Sequence, residues 1–191
     1  MENKTIAKVN GREIKRNDLD LQIKKLTQSL KITIPQEGTK ERNNFEQEEL
    51  NRMIDAVLLA QEAEEKDFRP KEEEVKSQYD LLLSQVGGEE KLTEALNNVG
   101  ITNEQLKEDM AVQMMLDKYF GFIKEKNGIT VTDEEIKDFY EKEIVPQDKK
   151  IELKDVEARI HQVLEQQKLN QPLSEIVQDL RSKAEIVISL L

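Results

Sequence analysis

A chain of 191 residues with 29 Lys and Arg against 40 Asp and Glu carries a formal net charge of −11, and it holds no cysteine. Disulfides, thiolate metal sites and cysteine nucleophiles are thereby excluded, and the acidic balance argues against nucleic acid or an anionic membrane as partner, since both need a basic patch. Charged residues at 36%, aromatics at 4%, and only 7 Gly and 4 Pro suit long solvated helices and disfavour an all-β sandwich with its frequent tight turns.

The chain opens on a hairpin signal. Thr5 to Val9 and Arg12 to Ile14 flank Asn10-Gly11, the pair that supplies the two positive φ angles of a type I′ turn. A lone hairpin is marginal in water, and the other strand-like stretch lies at the far end, where Ala184, Ile186, Ile188 and Leu190 alternate with Glu185, Val187, Ser189 and Leu191. The expectation is that this C-terminal strand joins the N-terminal hairpin.

Helical periodicity fills the interval. Leu19, Leu21, Ile23, Leu26 and Leu30 mark a first helix, and residues 31–43, with Pro35 and Gly38, read as a loop. A second helix runs from about Asn44 to Lys66 on the stripe Leu50, Met53, Ile54, Val57 and Leu58. Pro70 suits the first position of a third helix, faced by Val75, Tyr79, Leu82, Leu83 and Val86 and closed by Gly87-Gly88. A short helix through Leu92 and Leu96 stops at Gly100.

Thr102 with Gln105 forms a capping box for a long helix to about Lys126, and Thr132 with Glu135 forms a second one before Ile136, Phe139 and Tyr140. Residues 144–150 read as a break. Beyond it, Leu153 to Leu164 and Leu173 to Leu180 carry two further apolar stripes, the second helix beginning at Pro172. The fold class is therefore mainly α with a small terminal β-sheet.

No constellation for catalysis stands out. A single histidine, His161, cannot build a histidine metal site, and the acidic runs Glu46-Gln47-Glu48-Glu49, Glu72-Glu73-Glu74 and Asp133-Glu134-Glu135 are expected in the solvated first turns of helices, where the N-terminus favours carboxylates. Phosphate loops, nucleophile elbows and calcium loops are missing from the sequence. The reading is no catalytic residue, no metal and no cofactor. The helix from Thr102 to Lys126 has more apolar positions than one stripe needs, with Leu106, Met110 and Met114 on one line and Val112, Met115, Leu116, Tyr119 and Ile123 on another, so it is expected to be covered on two sides. Methionines adapt to varied apolar partners, or else they fill the core; both uses stay open here. The candidate binding surface is Tyr79, Leu83, Met110, Met114, Met115 and Phe122.

The order of segments resembles a known family. Ala7-Lys8-Val9-Asn10-Gly11-Arg12-Glu13-Ile14 is similar to the A-x-V-N-G-x-x-I opening of SurA-type and PrsA-type extracytoplasmic chaperone-foldases. Met53 to Ala63 resembles that family's L-I-D-x-x-L-L-x-Q-E-A helix, and Val131 to Tyr140 its V-T-D-E-E-I-x-x-Y-Y helix. In most of the family a parvulin-type isomerase domain follows the Tyr-Tyr helix, whereas here only Glu141 to Lys150 separates Tyr140 from the next helical pattern.

The resemblance implies a single chaperone core over 1–191, with 1–143 as its N-terminal segment, 144–150 at the point of insertion, and 151–191 as the helices and strand that complete it. It implies an ATP-independent holdase, not an enzyme, whose partners are unfolded or nascent exported polypeptides, with a homodimer left open. Alternatives are a scaffold for one dedicated partner or a degenerate isomerase. No run approaches the roughly 18 apolar residues of a membrane span, and Met1 to Thr5 lacks the features of a secretory signal. That fits a cytosolic protein or a mature segment; the resemblance favours an extracytoplasmic location with the signal absent from this chain.

Overall fold

A computed structural model describes residues 3–30, 33–146 and 151–189. In chain order these form β1 (Thr5–Val9), β2 (Arg12–Lys15), α1 (Arg16–Leu30), α2 (Lys40–Glu65), α3 (Glu72–Val86), α4 (Glu89–Val99), α5 (Asn103–Lys126), α6 (Asp133–Phe139), a π-helical turn (Tyr140–Ile144), α7 (Leu153–Lys183) and β3 (Ile186–Ile188). The chain divides into two compact units, Met1–Asp67 with Val177–Leu191, and Phe68–Ile176.

In the first unit the hairpin forms as its turn residues dictate: Asn10 has φ 49° and Gly11 φ 83°, and Val9 pairs with Arg12 across the turn. β3 adds antiparallel to the other side of β1, setting Val9 opposite Ile186 and Ala7 opposite Ile188, so the strand order is β2-β1-β3. The expected union of the two chain ends is present. Of the alternating stretch, only Ile186–Ile188 pairs as strand, and Leu190 and Leu191 lie outside the described residues.

Ile6, Val9 and Ile14 of the sheet, Leu19 and Ile23 of α1, and Leu50, Ile54 and Leu58 of α2 close one core, each at most 3% exposed. Burying each such side chain contributes about 1.5–3 kcal/mol. Glu46 and Glu49, expected in a solvated first turn, are instead buried, because α2 begins at Lys40 and they lie past its first turn. Glu46 takes a two-pronged bond from Arg16 at 2.7 and 2.9 Å and a third from Arg42 Nε at 2.6 Å, while Glu49 pairs with Arg52 at 2.6 Å. A buried charge left alone costs far more than one so paired.

α2 starts at Lys40, earlier than its apolar stripe suggests, because the Thr39 hydroxyl accepts the Arg42 N–H at 3.1 Å and so caps the helix ahead of the stripe. Near its middle, Asp55 of α2 is ion-paired with Arg181, which also donates to the Asn51 carbonyl at 3.1 Å.

In the second unit, α3 packs against α4 and α5. Pro70 precedes the helix instead of opening it; α3 begins at Glu72, and the Lys71 N–H donates to Glu74 Oε2 at 2.8 Å. Both expected capping boxes form, Thr102 with Gln105 and Thr132 with Glu135. Lys168 of α7 donates to the Thr130 carbonyl at 2.6 Å and to Glu135 at 2.7 Å. The Tyr140 hydroxyl donates to the Ile151 carbonyl at 2.7 Å, fastening together the two flanks of the expected 144–150 break; residues 147–150 of that break lie outside the described residues.

The two helices expected beyond the break are one. α7 runs unbroken from Leu153 to Lys183 with Pro172 inside it. A proline there removes the bond to the carbonyl four residues back and costs about 3 kcal/mol, yet helical backbone continues on both sides of it.

Candidate functional site

The six residues singled out in the sequence fall into two groups. Tyr79 on α3 is 7% exposed and sits at the centre of a small apolar cluster with Leu92 and Leu96 of α4. Leu83 and Met110 are half-buried members of the same cluster, together with Leu82, Val86, Ile101 and Leu106. The others lie further along α5: Met114 is half-buried, Met115 is 2% exposed, and Phe122 is 41% exposed.

Tyr79 is placed chemically as well as sterically. Its hydroxyl donates to Asn103 Oδ1 at 3.0 Å, and the Lys107 ammonium lies 4.5 Å from its ring centre, a cation over an electron-rich face. Burial raises the phenol above its ordinary value, and the nearby charges of Glu89, Glu104 and Asp80 push the same way. Tyr79 thus serves as the floor of the cluster, and Leu83 and Met110 as part of its open side.

α5 is covered on two faces, as its surplus of apolar positions suggests. Leu106 and Met110 turn to the α3–α4 cluster, while Ala111, Met115, Tyr119 and Ile123 form a buried stripe at spacing four. Met115 therefore belongs to a packed face and offers no side chain to solvent. At the end of α5, Phe122 leans on Phe68 with ring centres 5.4 Å apart, and Phe68 meets Tyr119 at the same distance. Sequence periodicity did not mark Phe68, which precedes α3, or Leu81, 52% exposed on α3, because neither belongs to an apolar stripe.

Two concavities are lined mostly by polar residues. One of about 550 Å³ is lined by Glu89, Glu90, Thr93, Glu94, Asn97 and Asn98 of α4, and another of about 450 Å³ lies in the first unit beside Asn10, Gln61 and Leu180. Among the described residues, no group of three or more His, Asp or Glu could hold a metal ion. His161 lies exposed on α7. No helix among the described residues is long and apolar enough to cross a membrane.

The described residues are mainly helical, with one three-stranded sheet that joins the two chain ends. The sequence pattern of the SurA-like N-terminal domain matches residues 1–120, most of the chain, and the chain belongs to that SurA/PrsA-type family. It is 29% identical over 149 residues to a protein named foldase protein PrsA from Clostridium botulinum strain Loch Maree / Type A3, a match covering 71% of this chain and 44% of the relative. The protein of that name from strain 657 / Type Ba4 is 28% identical over the same shares. The chain thus matches less than half the length of these curated relatives.

The first two of the motifs that carry the likeness meet in space. Asn10 of the opening motif donates through Nδ2 to Gln61 Oε1 at 2.8 Å, and Gln61 of the second motif donates back to the Val9 carbonyl at 3.2 Å. Asp55 of the second motif takes Arg181, and Glu135 of the third takes Lys168. These motif residues act as clasps of the fold.

Proposed function

We propose that the chain is an ATP-independent holdase that covers apolar segments of unfolded, exported polypeptides through side chains of its α3–α4–α5 cluster, and that it works outside the cytoplasm. The observation that carries this reading is the make-up of the cluster. Three buried residues, Tyr79, Leu92 and Leu96, are surrounded by six hydrophobic side chains that are only partly buried. Covering such surface contributes about 25 cal/mol per Å², a weak and undirected attraction that suits varied sequences. Leu83 and Met110 are assigned to contact the client, with Met114 and the exposed Phe122 extending the surface along α5; Tyr79 and Met115 support it from beneath.

The reading assigns binding and no bond-making. It is supported by the short passage from Tyr140 to α7, which leaves residues 141–152 at the place where the family resemblance puts an isomerase domain. In the same reading, residues 1–143 and 151–191 work as one chaperone core.

Binding is the test. The purified chain is titrated with a permanently unfolded, reduced and alkylated protein and with the folded form of that protein. Saturable binding to the unfolded form alone, weakened severalfold by Leu83→Ser with Met110→Ser, supports the reading. Equal behaviour toward both forms overturns it.

A further inference from the structure

The net charge is concentrated in one unit. Residues 68–176 hold 24 Asp and Glu against 15 Lys and Arg, a net of −9, which leaves −2 for the rest of the chain. Within that unit, residues 71–109 hold 10 carboxylates and 4 lysines, a net of −6. This is the stretch that builds α3, α4 and the start of α5, the walls of the half-covered cluster.

Few of these carboxylates are neutralised. Glu74 is paired with Lys118 and Glu108 with Arg69, both at 2.7 Å. Lys107, one of the four lysines, lies over the Tyr79 ring. The remaining carboxylates are exposed and meet no cation among the described residues. Helix starts account for Glu72, Glu73, Glu89, Glu90 and Glu104, where the dipole favours negative charge. Asp80, Glu94 and Asp109 lie past the first turn of their helices and have no such local reason. Asp80, Glu89 and Glu104 all act on Tyr79, the floor of the cluster.

We infer that the apolar face of Leu83, Val86 and Met110 takes cationic, apolar segments of unfolded polypeptides, selected by its acidic surround. The inference rests on the holdase reading and adds the class of client. Apolar burial is the same for a segment flanked by lysines and one flanked by glutamates, so it cannot choose between them. Charge can: at physiological salt the screening length is about 8 Å, within the span of one helix pair. Lys and Arg stems also lie on apolar surface while their heads reach the carboxylates. An anionic segment meets repulsion at the same place.

The test uses the full chain and three unstructured peptides that share one apolar centre and carry flanking Lys, Glu or Ser residues. Expected is binding of the Lys-flanked peptide at least about fivefold tighter than the Glu-flanked one at low salt, the gap closing to within about twofold at high salt. Asp80→Asn with Glu94→Gln and Asp109→Asn, which spares the helix starts, narrows the gap while the Ser-flanked peptide binds as before. Equal binding of all three peptides at low salt overturns the charge selection and leaves the holdase reading standing. A gap unchanged in the triple variant overturns its assignment to this face. Absence of binding to any of the three overturns both.

Discussion

Asn10 and Glu185 hold each other across nearly the full length of the chain. The Asn10 backbone N–H donates to the Glu185 carbonyl, and the Glu185 N–H donates to the Asn10 side-chain Oδ1, both at 2.9 Å. The other end of the same amide reaches Gln61 on α2. One residue thus turns the hairpin, docks it on a helix and receives the C-terminal strand.

That arrangement separates two contributions at position 10. Asn10→Gly keeps the positive φ and loses only the side-chain bonds, so it costs about 1–2 kcal/mol, modest because the bonds are exposed. Asn10→Ala loses the same bonds and must also hold φ at 49°, adding about 1 kcal/mol. Urea unfolding of the two variants measures the difference; equal losses would show that the backbone angle contributes nothing.

Asp55→Asn and Arg181→Met each break the link between α2 and the end of α7. Both side chains are about one-third exposed, so each change costs about 1 kcal/mol. A double-mutant cycle returns a coupling of about 0.5–1 kcal/mol if the ion pair is the cause. A coupling near zero would assign the loss to packing instead.

Glu46 makes stability depend on pH. Hydrogen bonds from Arg16, joined by Arg42, hold its carboxyl below the ordinary value near 4.5, against the opposing effect of burial. A carboxyl lowered in the folded state contributes stability that is fully present above its unfolded value and is lost as pH falls through its folded value. The wild-type chain therefore loses this contribution on acidification below about pH 4.5, and Glu46→Gln, already lacking it, shows a shallower decline. Parallel pH–stability curves for the two would contradict the assignment.

Met114 and Met115 are neighbours with different roles. Met115→Ala opens a cavity in a packed face and lowers stability by about 2–4 kcal/mol. Met114→Ala removes a half-covered side chain and costs less than about 1.5 kcal/mol, while weakening client binding. Thermal unfolding and the binding titration together distinguish the two residues.

Features written in adjacent residues were legible in the sequence. Asn10-Gly11 carries its turn, Thr102 with Gln105 and Thr132 with Glu135 carry their caps, and the alternating Ile186 and Ile188 carry their strand. What tertiary packing decides was not. Periodicity put Met115 and Tyr79 on apolar stripes, but whether a stripe is core or open surface depends on which helices lie over it. Pro172 followed a local rule for helix starts and was overridden by the continuous helix around it. Thr39 capped α2 ahead of any apolar repeat, so the first turns of that helix left no periodic trace. Phe68, half-buried against Tyr119 and Phe122, and Leu81, exposed beside Leu82 and Leu83, belong to no stripe that periodicity could mark.

We propose that this chain keeps unfolded polypeptides from associating. The most direct test is light scattering by several unrelated proteins diluted from denaturant, with and without a comparable molar amount of the purified chain. Suppressed scattering is expected for all of them without ATP, with weaker suppression by the Leu83→Ser, Met110→Ser variant at unchanged helical content. Scattering as high as with an inert protein of similar size, for each protein tried, would contradict it.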